Sequence, residues 1–245
     1  MRYQRLSLAL ALGMIPALSF ASLSETAFQV VASNVNGTST FSVNRDALSY
    51  NPGTDSFSWS LGESQELYSS SGRYIATINA ASLNYVQDPV VNLFFSVQAG
   101  GVVTTFTVTS ALLSFAAINP AEGRATAGMS ITDTDNNGVT MNGLEGGKAY
   151  SSYYNGFVPA GTLFKTLVAG FNAPAGQSNT GSENFGWVNI GGAVTDMSAR
   201  FNFDLTANDL ASGTSNYEIR AVPEPTTIAA LALGAGALLL RRKRK

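Results

Sequence analysis

Short segments in which apolar and polar residues alternate occupy most of the chain between residues 25 and 220. Segment 201–205, Phe-Asn-Phe-Asp-Leu, has the period of two that places Phe201, Phe203 and Leu205 on one buried face of a strand. Clusters of Gly, Asn, Ser and Asp separate the segments, and helical periodicity is scarce. We predict strands at residues 27–32, 39–43, 56–61, 74–80, 90–98, 102–115, 129–132, 138–141, 162–168, 198–205 and 215–221.

Regularly spaced short strands with turn residues between them predict an all-β fold, a single β-sandwich or jelly-roll-like domain. The Gly-rich residues 99–101 predict a hairpin that joins strands 90–98 and 102–115 in the core. Asn208 and Asp209 predict a further turn. Residues 171–186 are rich in Gly, Ser and Asn and predict a long surface loop.

The first 21 residues carry the pattern of a secretory signal peptide. Arg2 and Arg5 precede an apolar stretch at residues 6–18, and the small residues Ser19 and Ala21 follow it. A buried N-terminal helix is the alternative, but it would not require these parts in this order. We therefore predict export and cleavage after Ala21, which leaves residues 22–221 as the exported body.

The C-terminal segment, residues 222–245, has three parts in order. The first is Val222-Pro223-Glu224-Pro225, whose prolines interrupt regular structure. Residues 226–240 are uncharged, and as a helix they would rise about 22 Å, somewhat less than the hydrocarbon core of a bilayer. We predict a marginal transmembrane helix there, with a basic cytoplasmic stop behind it. The stop consists of Arg241, Arg242, Lys243, Arg244 and Lys245.

These three parts resemble the PEP-CTERM sorting signal, also known as the ice-binding protein C-terminal domain. The resemblance implies that an exosortase and the inner membrane are partners during sorting. It further implies cleavage near Pro223-Glu224-Pro225 and delivery to the cell surface or extracellular matrix of a Gram-negative bacterium. An anchor that is never cleaved is the alternative. Residues 201–225 also resemble the final hairpin of proteins with such a tail.

The absence of two residue types narrows the possible chemistry. The chain contains no Cys and no His, so disulfides, thiolate nucleophiles and Ser-His-Asp triads are excluded. Paired carboxylates, Glu63 with Glu66 or Asp204 with Asp209, are the catalytic option that is left. No pattern places either pair in a cleft, and we expect no enzyme.

The basic residues at the two ends of the chain offset the negative charge of the body in the net charge of the whole sequence. Without them, seven basic and fifteen acidic residues leave the body with a charge of −8. An acidic surface argues against nucleic acid or anionic lipid as a partner. The threonines Thr105, Thr107 and Thr109 alternate along one strand, but an ice-binding face needs several such rows, so we do not expect ice binding.

Residues 133–138, Asp-Thr-Asp-Asn-Asn-Gly, place oxygen donors at Asp133, Asp135 and Asn137 with a glycine next, as in calcium loops. The twelfth position of such a loop is Leu144, and Glu145 arrives one residue late. Asn137 followed by Gly between strands is also typical of a metal-free hairpin turn. Two interpretations stay open, the plain turn and a weak calcium site.

Aromatic residues cluster in segment 150–157, with Trp187 further along. Such rings can form a platform for sugars, but in a β-rich chain they more often fill the core, and we favour the core. The sequence as a whole predicts a non-enzymatic, exosortase-sorted surface or matrix protein associated with extracellular polysaccharide. The alternatives are a calcium-assisted carbohydrate-binding module and a carboxylate-dependent glycan hydrolase.

Overall fold

The computed structural model describes residues 22–222. The predicted signal peptide, the Pro-Glu-Pro residues, the transmembrane segment 226–240 and the basic stop lie outside the described residues. No helix between residues 22 and 222 is long and apolar enough to cross a membrane. The same part of the chain forms eighteen strands and one short 3-10 helix at Arg45–Ala47.

The strands are numbered in chain order. They are β1 (Ser22–Leu23), β2 (Thr26–Asn34), β3 (Gly37–Asn44), β4 (Ser49–Asn51), β5 (Ser56–Ser60), β6 (Gln65–Tyr68), β7 (Tyr74–Val86), β8 (Val90–Ala99), β9 (Thr104–Ser110), β10 (Leu113–Ile118), β11 (Ala121–Thr132), β12 (Val139–Gly143), β13 (Lys148–Tyr154), β14 (Thr162–Ala169), β15 (Phe171–Ala173), β16 (Ser178–Ile190), β17 (Val194–Leu205) and β18 (Leu210–Ala221).

Two antiparallel sheets pack face to face, so the all-β sandwich prediction is confirmed. Sheet 1 has the order β1-β10-β17-β9-β2-β3, and β12 and β13 extend it along β17 and carry β15 and β14. Sheet 2 has the order β16-β11-β18-β8-β7-β5-β4, with β6 on β7. All of these pairs are antiparallel, and each sheet contributes one apolar face to the shared core.

An aromatic stack joins the two sheets at the centre of the core. Phe95 of sheet 2 lies 5.0 Å from Phe201 and 5.9 Å from Phe203 of sheet 1, measured between ring centroids. Phe106 stacks on Phe203 at 5.6 Å. Gly213 faces this stack, and a Cβ atom at that position would collide with the ring of Phe95. The predicted burial of the 201–205 face is confirmed, because its three apolar side chains are fully buried.

The predicted strand 102–115 is interrupted at Ala111 and Leu112. β9 ends before these residues and β10 begins after them, yet both strands pair with β17. The hydroxyl of Tyr85 accepts a hydrogen bond from the N–H of Ala111 at 2.7 Å and donates one to the carbonyl of Ala27 at 2.5 Å. A core side chain therefore satisfies the backbone where the ladder breaks.

The predicted hairpins at residues 99–101 and at Asn137-Gly138 are wrong, and so is the final hairpin that residues 201–225 resemble, because each connection crosses between the sheets. Residues 99–101 lead from β8 in sheet 2 to β9 in sheet 1. Asn137-Gly138 leads from β11 to β12, and Asn208-Asp209 leads from β17 to β18. The residue types set the bend correctly, but a bend does not decide whether the next strand stays in the same sheet.

The surface loop predicted at residues 171–186 is also wrong. β15 and the thirteen-residue β16 occupy most of it. β16 is the edge strand of sheet 2 and pairs with β11 along its length. Most of its side chains are exposed, so the segment shows little of the apolar alternation that marks a half-buried strand.

Candidate functional site

A row of amide and hydroxyl side chains crosses the outer face of sheet 2. In-register pairing aligns one residue on each of five neighbouring strands. At the usual spacing of antiparallel strands, such a row is about 19 Å long. We call it the amide row. It consists of Asn84, Asn92, Asn216, Thr126 and Asn184.

A second row runs parallel to the first, two residues along each strand. It consists of Ser82, Phe94, Thr214, Gly128 and Ser182. Phe94 is 41% exposed although it lies in the middle of the sheet. Gly128 leaves open space two strands away, and a Cβ atom there would make only an ordinary contact of 3.5 Å with Ser182. The two rows line an open groove of about 640 Å³.

Much of the hydrogen-bonding capacity of the groove is unused. The Nδ2 of Asn216 donates to the Oδ1 of Asn92 at 2.7 Å, which fixes both amides. Within residues 22–222, the side chains of Asn84, Thr126 and Asn184 make no hydrogen bond. These three groups therefore keep donors and acceptors for a ligand.

Charges border the groove but are paired. Arg124 contacts Glu218 at 2.5 Å, and Arg220 contacts Glu122 at 2.6 Å. The guanidinium groups of both arginines lie over the ring of Trp187, at 4.8 Å and 3.8 Å from its centroid. Each of these positive charges thus has a carboxylate and an aromatic partner.

The aromatic segment 150–157 does not form a platform with Trp187. Tyr150 is fully buried and its ring packs on Phe201 at 5.0 Å. Tyr153 is buried as well, whereas Trp187 lies beside the groove. The interpretation of the segment as core is confirmed for these two tyrosines.

The outer face of sheet 1 carries polar residues that bond to one another. Thr105 donates to Asp204 at 2.6 Å, and Thr107 donates to Asn202 at 3.1 Å. Arg200 pairs with Glu145 at 2.5 Å, and their side chains are only 16% and 10% exposed. The Nδ2 of Asn202 donates to the same carboxylate at 3.0 Å. We call this set the sheet 1 network.

Two of the three residues of the predicted calcium site meet a partner that the sequence did not indicate. The carboxylates of Asp133, Asp135 and Asp209 have oxygens within 4.8 Å of one another. Asp209 arrives from the β17–β18 connection, which backbone bonds hold beside residues 99–101. No local motif predicts this meeting, because it depends on two connections crossing at the same end of the sandwich.

The three carboxylates of the cluster differ in their hydrogen-bond partners and in the direction of their pKa shifts. Backbone N–H groups, chiefly that of Gly176, lower the pKa of Asp133 to about 2. Burial raises the pKa of Asp209, whose Oδ1 accepts from the N–H of Thr134 at 3.2 Å. The side-chain amide of Asn137 donates to Asp135 at 2.8 Å. A cation would contact the oxygens that these donors leave free.

The carboxylate pairs considered for catalysis have separate partners. Asp204 belongs to the sheet 1 network and Asp209 to the acidic cluster. Glu66 accepts a hydrogen bond from the hydroxyl of Tyr68 at 2.5 Å. Glu145, the late residue of the calcium pattern, is engaged by Arg200 on sheet 1.

The chain continues directly from the sandwich into its C-terminal segment. Val222 follows β18, and its N–H donates to the carbonyl of Pro120 at 3.0 Å. The family model of the PEP-CTERM protein-sorting motif matches residues 221–245. The described residues 22–222 are thus all-β, and the chain carries this motif, which makes it a PEP-CTERM sorting domain-containing protein. The motif implies export, recognition by an exosortase and sorting to the cell surface.

Comparisons of the whole chain add little. No curated protein matches it. Among solved structures, TmCBM61 in complex with β-1,4-galactotriose is similar at 8% identity and a TM-score of 0.26, over 54% of this chain and 71% of that chain. The infectious bursal disease virus Gt strain is similar at 11% identity and a TM-score of 0.27, over 93% and 74%. At these scores neither likeness carries an argument about function.

Proposed function

We propose that this exosortase-sorted protein is a non-enzymatic component of the cell surface or extracellular matrix of a Gram-negative bacterium. It is held for a time by its C-terminal helix, and after sorting it contacts extracellular polysaccharide through the groove on sheet 2. The observation that carries the proposal is the pair of rows that surround the exposed Phe94 with unused amide and hydroxyl groups.

The chemistry of the groove fits a ligand rich in hydroxyl groups. A side-chain amide offers two donors and an acceptor, so it can bond to a hydroxyl in either sense. Each such bond contributes only about 0.5–1.5 kcal/mol net, so useful affinity requires several of them in a line. The amide row supplies that line, and its open form admits a chain that continues beyond the protein.

Electrophoresis through gels that contain polysaccharide tests the proposal. The protein is purified from the exported fraction and run with the exopolysaccharide of the producing cells. We expect slower migration than in a gel without polysaccharide, and no release of reducing ends. Unchanged migration in every polysaccharide gel would overturn the proposal, and new reducing ends would favour the glycan hydrolase.

The sorting step has its own test. Mass spectrometry of the protein from the extracellular fraction should find a C-terminus close to Pro223-Glu224-Pro225. A mature protein that still ends in Lys245 would instead be an uncleaved anchor.

Calcium-assisted carbohydrate binding is a second candidate, favoured by the three convergent carboxylates. Calcium bound only by the folded state would raise the melting temperature, by about 2–4 °C for each kcal/mol of linkage. The rise should vanish in Asp133→Ala and persist in Asp46→Ala, whose carboxylate is almost fully exposed. A melting curve unchanged by millimolar calcium would remove this candidate.

A further inference from the structure

We propose that the groove on sheet 2 binds an uncharged glycan chain that lies along the amide row, across the strands, with one sugar ring stacked on Phe94. This inference rests on the proposed function and specifies its ligand. Three features of the described residues support it: the charge of the groove, the boundaries of the amide row, and the space beside Phe94.

Among the described residues, the groove has no unpaired charge, and this favours an uncharged ligand. The ten residues of the two rows are neutral, and the arginines beside them already have carboxylate partners. Glu183 also borders the groove, but its carboxylate bonds to Lys148 at 2.5 Å. The body carries a charge of −8. An anionic polysaccharide would meet no unpaired cation here and would be repelled by the body as a whole.

The boundaries of the amide row set the direction of the chain. On one side, the neighbouring positions are Val86, Val90 and the ion pair of Glu218 with Arg124. These groups offer little unused hydrogen-bonding capacity to a sugar. On the other side stands the exposed ring of Phe94. The long polar side chains therefore extend across the strands, and a glycan that uses them must run the same way.

The space beside Phe94 accommodates a ring. Its in-register neighbours, Ser82 and Thr214, are smaller, and the position beyond Thr214 is Gly128. The face of Phe94 is thus accessible above short side chains. Aromatic rings offer flat apolar surface that suits the C–H face of a sugar, while the amide row meets the hydroxyls at its edge.

Gel electrophoresis with defined polysaccharides tests this inference on the whole exported protein. The neutral panel contains dextran, a mixed-linkage β-glucan, a galactan and a xyloglucan. The anionic panel contains alginate and polygalacturonate. The producing cells' own exopolysaccharide is run beside them. We expect at least one neutral polysaccharide to retard the protein, and neither anionic one to do so at the same ionic strength.

Two substitutions and two matched controls locate the binding. Phe94→Ala removes the stacking surface and should weaken the neutral ligand about three- to tenfold. Gly128→Leu fills the groove and should abolish retardation. A Cβ atom fits at this position, so the substitution does not strain the backbone. Leu163→Ala, on β14, changes a side chain that is 50% exposed. Gly62→Leu, between β5 and β6, adds a side chain where nothing lies within 4 Å. Both controls should bind normally.

The outcomes separate this inference from the proposed function. Retardation by anionic polysaccharides alone, or neutral binding that survives both Phe94→Ala and Gly128→Leu, overturns the inference and leaves polysaccharide binding standing. No retardation by any polysaccharide, the producing cells' own included, overturns the proposed function itself. Melting curves of the four variants establish that each is folded before its migration is compared.

Discussion

The outer faces of the two sheets are both polar, but they use their polar groups differently. On sheet 1, Arg200, Glu145 and Asn202 bond to one another and leave little capacity for a ligand. On sheet 2, Asn84 and Asn184 make no side-chain hydrogen bond within residues 22–222. A polar sheet face is thus not in itself a binding surface. What distinguishes the two is whether the fold already uses the hydrogen bonds.

Of the two polar faces, the one that carries the sheet 1 network should therefore contribute more to stability. Glu145→Ala leaves the guanidinium of Arg200 without its carboxylate in a site where both side chains are largely buried. Loss of one partner of a buried pair costs about 3 kcal/mol or more. Urea unfolding measures this cost, with Glu63→Ala in an exposed position as the control. A change below about 0.5 kcal/mol, typical of a surface substitution, would show that the network does not hold the fold.

Substitutions in the amide row should show the reverse. Asn84→Ala and Asn184→Ala remove side chains that have no bonding partner in the described part of the chain. We expect each to change the unfolding free energy by at most about 0.5 kcal/mol. Each should lower polysaccharide affinity about three- to tenfold, the equivalent of one hydrogen bond. The measurement is retardation in the gel beside Thr107→Val of sheet 1, which should bind normally. A stability loss without a change in binding would contradict the division between the faces.

The smallest expected effect concerns the ion pair that links the sheets, between Lys148 of β13 and Glu183 of β16. The hydrogen bond from Lys148 lowers the pKa of Glu183. A lowered pKa in the folded state adds stability above the unfolded value of about 4.3, and that stability is lost as the pH falls through the folded value. Both groups are about one-third exposed, so solvent screening keeps the contribution below about 1 kcal/mol.

Melting curves between pH 6 and pH 3 test this link. The loss of stability on acidification should be smaller in Lys148→Met and in Glu183→Gln than in the parent protein. Identical pH profiles for all three would mean that the pair does not couple the sheets.

Most strands of the sandwich were predictable, and their partners were not. Alternation in segment 201–205 correctly predicted a half-buried strand, because one face of that strand meets the core. The edge strand β16 was missed, since its largely exposed side chains carry no such signal. The turns at residues 99–101, Asn137-Gly138 and Asn208-Asp209 were located correctly, but each of them changes sheet.

The candidate site was harder to predict than the fold for the same reason. Asn84, Asn92 and Asn216 each occupy the polar position of an alternating strand, which predicts only that they face outward. They form one row because β7, β8 and β18 are neighbours in register. That neighbourhood joins residues more than a hundred positions apart, so no window of sequence contains it. Asp133 and Asp209 are likewise brought together by the fold and not by any local motif.

The position of β18 has a consequence for export. The strand lies between β8 and β11 in the middle of sheet 2, and the sorting motif begins at its last residue. The chain emerges from its N-terminus onward. Because β18 lies between β8 and β11, these two strands cannot join into one sheet until β18 has emerged. A chain shortened before residue 210 would lose both the strand that completes sheet 2 and the sorting motif. Because the strand and the motif are contiguous, a C-terminal truncation that removes β18 also removes the motif.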